Sequence, residues 1–179
     1  IACLTSYDAS FARIQDKAGV DLLLIGDSLG MVLQGRDNTL RVSISDMIYH
    51  SGIVSNATKR AIIVTDMPFM SYSTPVQALG NAARLVSEGG AHVVKIEGGS
   101  ELSETVKLIT RHGIPVCGHL GLTPQSIHKL GGLSVQAATS KAAKKLEKDA
   151  LSLQEAGASC LVVECIPSSV AANVTKLLD

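Results

Sequence analysis

Acidic residues recur in this 179-residue chain just where short apolar runs end. Leu22 to Ile25 runs into Gly26-Asp27-Ser28, Ile62 to Thr65 into Asp66, and Leu161 to Val163 into Glu164. Such a run reads as a strand buried on both faces, the usual condition in parallel sheets. Ligands of these folds bind beyond the carboxyl ends of the strands, so polar groups placed there are candidates for chemistry. In Val93-Val94-Lys95-Ile96-Glu97 the two-residue strand period puts Lys95 and Glu97 on one face and Val94 and Ile96 on the other. Together, Asp27, Asp66 and Glu97 suit a hard cation, since Mg²⁺ takes a few carboxylates and fills its shell with water and substrate. No HxH or HExxH spacing offers zinc a site. A single Asp after a strand is commonly a turn or cap residue, and Asp66 precedes Met67-Pro68. Three carboxylates converging from neighbouring strands argue for more.

Two further residues could move or hold a proton. His119 ends the run Pro115 to His119, where its imidazole could donate to a substrate oxygen or act as a structural partner. Glu164 stands between Leu161-Val162-Val163 and Cys165-Ile166-Pro167, so its surroundings are expected to be apolar. Desolvation would disfavour its charged form, which suits a general base. His50, His92, His112 and His128 fall in helices, loops or strand starts and carry no such expectation.

The elements that must position these groups are marked by a repeated pattern of an amphipathic segment, a Gly and a β-branched run. It occurs at Gly19, Gly90, Gly113 and Gly157, each suited to the left-handed residue that closes a helix. Thr74-Pro75-Val76-Gln77 combines a cap, Pro at the first helical position and Gln at the third, and Ser43 with Asp46 is a weaker start signal. Six strand-helix units follow, with strands near 1–6, 21–26, 61–66, 92–97, 114–119 and 160–165. The Lys-rich stretch Ala137 to Lys148 reads as a loop entering a solvated helix.

Alternating strands and helices allow an open doubly wound sheet or a closed (β/α)₈ TIM barrel. Five successive strands ending in candidate ligands favour the barrel, because only closure gathers consecutive strand ends around one centre. The expectation is one (β/α) barrel domain over residues 1–179, truncated at both ends, with about six of its eight units present.

Composition narrows the function classes. Sixteen basic and sixteen acidic residues cancel, and aromatics are few, so no nucleic-acid footprint or base-stacking platform is indicated. No apolar stretch reaches the length of a membrane span. Cys3, Cys117, Cys160 and Cys165 form no CxxC pair and are read as reduced, buried thiols of a cytoplasmic protein.

Five ordered motifs closely resemble the ketopantoate hydroxymethyltransferase family: Ile25-Gly-Asp27-Ser28-Leu-Gly-Met31, Asp66-Met-Pro-Phe-Met70, Val94-Lys95-Ile-Glu97-Gly-Gly99, Cys117-Gly-His119-Leu-Gly-Leu-Thr-Pro-Gln-Ser126 and Val163-Glu164-Cys165. The resemblance runs from Thr5-Ser-Tyr-Asp8 to the end of the chain and implies a (β/α)₈ barrel. It also implies transfer of a one-carbon unit from 5,10-methylenetetrahydrofolate to α-ketoisovalerate, giving ketopantoate for pantothenate synthesis, by a homo-oligomer that is a decamer in bacteria. By motif, Asp27 and Asp66 would bind Mg²⁺ with Glu97 completing the acidic shell, directly or through water. Asp27, Ser28, Asp66, Lys95 and His119 would hold the substrate, and Glu164 would be the catalytic base. The chain departs from the family at Val135-Gln136-Ala137-Ala138, where Gly and a basic residue are common. Two alternatives stand beside this reading: a catalytically silent, truncated subunit, or a Mg²⁺-dependent α-keto-acid lyase or mutase of the phosphoenolpyruvate-type barrels. The latter usually carry a Cys in a Gly-rich loop that this sequence lacks.

Overall fold

A computed structural model describes all residues from Ile1 to Asp179. Six parallel strands, β1 (Cys3–Thr5), β2 (Leu22–Ile25), β3 (Ile62–Asp66), β4 (Val93–Glu97), β5 (Val116–Gly121) and β6 (Cys160–Glu164), lie in strict sequence order. Doubly wound sheets reverse their order at a switch point, whereas unbroken order is what a barrel wall requires. Between the strands run α1 (Ala9–Lys17), α2 (Leu29–Val32), α3 (Ile44–Ala57), α4 (Pro75–Ser87), α5 (Ser103–Arg111), α6 (Ile127–Leu130) and α7 (Ser140–Glu155). Helix α8 (Ser168–Leu177) follows β6. The sheet curls: Gln125, beyond β5, reaches Asp27, beyond β2, with a hydrogen bond of 2.8 Å. Three strand spacings in a flat sheet would separate their backbones by about 14 Å.

Sequence signals account for most element boundaries. The four helix-closing glycines have φ between +68° and +99°, the left-handed region that avoids a Cβ penalty. Thr74 accepts from the Gln77 amide at the start of α4, with Pro75 at the first helical position. Ser43 and Asp46 form a complete reciprocal capping box, a stronger start for α3 than the two residues alone suggest. Strand β5 begins two residues later than expected and extends two further, carrying His119 inside the strand.

The sheet has two unlike faces. Leu23, Ile25, Ile63, Val94 and Ile96 point outward into one core with helix residues such as Met47, Ala78, Ala82, Leu85, Ile109 and Leu153. On the concave face Val64, Val93 and Cys117 form a small apolar layer against Leu22 and Leu24. The charged groups lie above this layer, toward the carboxyl ends. Strand β1 is exposed and β6 only half-buried over most of its length, and the expectation for the thiols is corrected: only Cys117 is buried, while Cys3, Cys160 and Cys165 are exposed and all four are free. Their strand-like sequence context does not reveal that two of the strands lie at sheet edges. No helix is long and apolar enough to cross a membrane.

Candidate active site

Parallel register brings the expected residues together. Asp66 is the direct neighbour of Lys95, and Glu97 of His119, so charges spaced far apart in sequence share the concave face. Asp27, Asp66, Lys95, Glu97 and His119 are all buried, while Ser28 and Glu164 are half-buried. Lys95 Nζ lies 2.7 Å from Asp66 Oδ1. The other Asp66 oxygen accepts from the Asp27 backbone N–H at 3.0 Å, tying the end of β3 to the loop after β2. His119 sits between two carboxylates, with Nδ1 3.2 Å from Glu97 Oε1 and Nε2 3.2 Å from Glu164 Oε2. Lys95 Nζ is 3.4 Å from the same Nδ1.

Burial and charge act against each other here. Burial with Asp66 and Glu97 nearby pushes the Asp27 carboxyl up to about 7, only partly offset by Lys95 and Gln125. Burial alone would depress Lys95, yet Asp66, Glu97 and Asp27 outweigh it and raise the ammonium above its ordinary range. His119 follows the same pattern, with burial opposed and overcome by hydrogen bonds to Glu164 and Glu97, so its imidazolium is favoured.

Glu164 departs from expectation. Its side chain is 45% exposed, and the His119 imidazole beside it lowers its pKa, outweighing the rise that burial alone would give. The apolar residues beside it in sequence point elsewhere, since alternate residues of a strand face opposite ways. Beside it, Gly121 has φ +92°, and a Cβ there would stand 2.2 Å from the Glu164 carbonyl oxygen. Glycine at the end of β5 therefore lets β6 approach closely enough for Glu164 to reach His119.

Three carboxylates do not form a ready-made cage, and no three His, Cys, Asp or Glu side chains converge on one point. Glu97 has both oxygens engaged, by His119 Nδ1 and by the Gln125 backbone N–H at 3.0 Å. It stands outside the Asp27–Asp66 pair. The site still fits a hard cation in donor chemistry. Asp66 Oδ1 is buried without an aligned hydrogen bond although the Lys95 ammonium attracts it, and the Gln125 amide occupies only Oδ2 of Asp27. Asp66 and Glu97 beside Asp27 concentrate negative charge that the Lys95 ammonium only partly offsets.

Three polar residues of the site escaped sequence reasoning. Gln125 bonds Asp27 from the turn after β5, Tyr72 bonds Gln125, and Tyr7 OH lies 3.1 Å from Ser28 Oγ. Gln125 follows Thr123-Pro124, a pairing that reads as a helix start and hides its position at a strand end. Three of the discounted histidines are structural: His50 Nδ1 is 2.9 Å from the Tyr7 carbonyl, His92 Nδ1 accepts from Ile63 N, and His112 Nδ1 is 2.8 Å from the Leu108 carbonyl. In the loop Val135 to Ala138, Ala137 has φ +54°, the left-handed region that favours glycine.

Comparison with known proteins gives the site a family context. The family model described as ketopantoate hydroxymethyltransferase matches residues 1–179. The chain is 53% identical over 178 residues to the 3-methyl-2-oxobutanoate hydroxymethyltransferase of Nitrosococcus oceani, covering 99% of this chain and 67% of that protein. It is 57% identical over 177 residues to the protein of the same description from Methylobacillus flagellatus, covering 98% and 67%. For that of Halorhodospira halophila the figures are 52% over 178 residues, 99% and 65%. The chain thus spans about two thirds of these relatives' length. Among solved structures, a putative phosphonomutase from Burkholderia cenocepacia superposes with TM-score 0.78 at 15% identity, covering 99% of this chain and 73% of that one. A phosphonopyruvate hydrolase complexed with oxalate and Mg²⁺ gives 0.74 at 10% identity, covering 98% and 62%. At these identities the likeness shows the barrel fold alone.

Proposed function

The chain belongs to the ketopantoate hydroxymethyltransferase family, and from that premise we propose that its strand-end site binds 3-methyl-2-oxobutanoate beside Mg²⁺. There it would take part in hydroxymethyl transfer from 5,10-methylenetetrahydrofolate, giving 2-dehydropantoate, the reaction that opens the pantoate branch of pantothenate synthesis. The observation that carries this reading is the buried array of Asp27, Asp66, Lys95, Glu97 and His119 on the concave face, with Glu164 at its rim. A cytoplasmic homo-oligomer, a decamer by family resemblance, belongs to the same proposal.

Asp27 and Asp66 would hold the ion, with Glu97, which stands outside that pair against His119 and Gln125, completing the acidic shell through water. When bound, Mg²⁺ supplies positive charge beside the keto oxygen as that oxygen becomes negative. Lys95, His119 and Ser28 would orient the carboxylate and keto oxygens through charge-assisted and neutral hydrogen bonds. Glu164 would take the proton from C3, next to the ketone. The C3–H electron pair becomes the C2–C3 double bond as charge moves to oxygen. Water opens the N–CH₂–N bridge of the folate, both C–N bonds break and the two nitrogens leave protonated as tetrahydrofolate. C3 attacks the released one-carbon unit, whose oxygen, supplied by that water, takes a proton and becomes the new hydroxyl. The His119 imidazole 3.2 Å away lowers the Glu164 carboxyl, which favours the carboxylate that can accept a proton, at some cost in basicity. A substrate oxygen that draws the Nε2 proton would restore that basicity.

In D₂O, with Mg²⁺ and without folate, the protein is expected to exchange the C3 proton of 3-methyl-2-oxobutanoate, read by proton NMR. Glu164→Gln should slow exchange by about 10²- to 10⁴-fold. Exchange that persists unchanged in EDTA, or in Glu164→Gln, would remove the assigned roles.

A further inference from the structure

We propose that Gln125 is a positioning residue that holds Asp27 and Glu97 in their cation-binding arrangement, with Tyr72 fixing which way its amide faces. Gln125 is buried at 6% exposure in the short 3₁₀ turn Pro124–Ser126 after β5, and its bonds reach three other strand ends. Its Nε2 donates to Asp27 Oδ2 at 2.8 Å and to the Met67 carbonyl at 2.9 Å, while its backbone N–H donates to Glu97 Oε2 at 3.0 Å. Its Oε1 accepts from the Tyr72 hydroxyl, which also lies 3.4 Å from the Glu97 carbonyl.

The network permits a single amide orientation. A flipped amide would set Oε1 against the Asp27 carboxylate and the Met67 carbonyl, two acceptors facing a third, with no donor between them. Tyr72 opposes that flip from the other side, because its hydroxyl donates to Oε1. Gln125 is also neutral. It gathers two carboxylates that repel one another without cancelling their charge, so the negative potential needed by a cation survives. A Lys in its place would have filled the site's role with its own charge. Only Oδ2 of Asp27 is taken, which leaves Oδ1 for a ligand.

This inference rests on the Mg²⁺ reading above, and the test separates the two. Calorimetric titration of Mg²⁺ is expected to show about 10- to 100-fold weaker binding for Gln125→Leu than for the unaltered chain, as for other residues that orient metal ligands. Tyr72→Phe, which keeps the ring and loses the donor, should weaken binding in the same direction by a smaller factor. Val54→Ala, in the outer core and far from the site, should lower the urea midpoint and leave Mg²⁺ affinity unchanged. If the unaltered chain binds no Mg²⁺, the metal reading fails and takes the inference with it. Should the unaltered chain bind Mg²⁺ and both Gln125→Leu and Tyr72→Phe bind it equally well, the positioning role alone is overturned. Gln125→Glu covers the case in which the Leu variant does not fold: a third carboxylate at the same place should impair the Asp27 arrangement, and unchanged Mg²⁺ affinity would count against the role.

Discussion

At the scale of single residues, the site is a set of buried charges whose partners matter more than their identities. Lys95 is held by Asp66 at 2.7 Å with both side chains 5% exposed. Removing one member of such a pair leaves the other charged and desolvated, which costs far more than the pair contributes net. Lys95→Met is therefore expected to destabilise the fold by about 3–5 kcal/mol, measured by urea denaturation at neutral pH. Lys95→Met combined with Asp66→Leu should recover much of that loss, since the orphaned carboxylate disappears with its partner. Residue types and strand ends were legible for Asp27, Asp66, Lys95, Glu97 and His119. The environment of Glu164 was not, because its apolar neighbours in sequence face away from it, and the imidazole of His119 is its partner across the strands.

Among the elements, α7 does more than cover the sheet. Its Asp149 is buried, accepts from the Ser100 hydroxyl at 2.9 Å and from the Ser100 N–H at 3.3 Å, and pairs with Lys145. It thereby anchors the loop that follows Glu97 at the end of β4. Burial alone would raise the Asp149 carboxyl, but Lys145 and Ser100 outweigh it and hold it below its ordinary value. A carboxyl depressed by folding contributes stability that is present above its unfolded pKa of about 3.9 and is lost as pH falls through the lower folded value. Asp149→Asn is expected to cost about 1–3 kcal/mol near pH 7. The gap to the unaltered chain should narrow progressively below pH 4, followed by denaturant titration across pH 3 to 7. A constant gap over that range would show that Asp149 acts by shape alone. The helix itself was readable in the Lys-rich stretch, but its link to Ser100 spans 49 residues and depends on how α7 packs beneath the β4 loop.

For the molecule as a whole, curvature decides function. Strict strand order and a concave face turn five separate strand ends, β2 to β6, into one cluster of charge. If that cluster binds Mg²⁺ only in the folded state, the ion must stabilise the fold through mass action. At a free concentration a hundredfold above Kd, stability should rise by about 2.7 kcal/mol. Urea midpoints with Mg²⁺ and with EDTA would measure this, and Asp27→Asn should abolish the difference. Equal midpoints for the unaltered chain would contradict folded-state binding.

Sequence alone determined the strand-helix alternation, the placement of polar groups at strand ends and the shared face of Lys95 and Glu97. Each follows from local periodicity, cap chemistry or the position of glycine, all of which act within a few residues. Tertiary structure decided the rest: that Lys95 pairs with Asp66 and not with Glu97, that Glu97 turns to His119 and Gln125, and that Glu164 is half-exposed beside the imidazole of His119. The physical reason is that buried charges choose partners by distance across strands. Register and curl set that distance, and neither is written in any one segment.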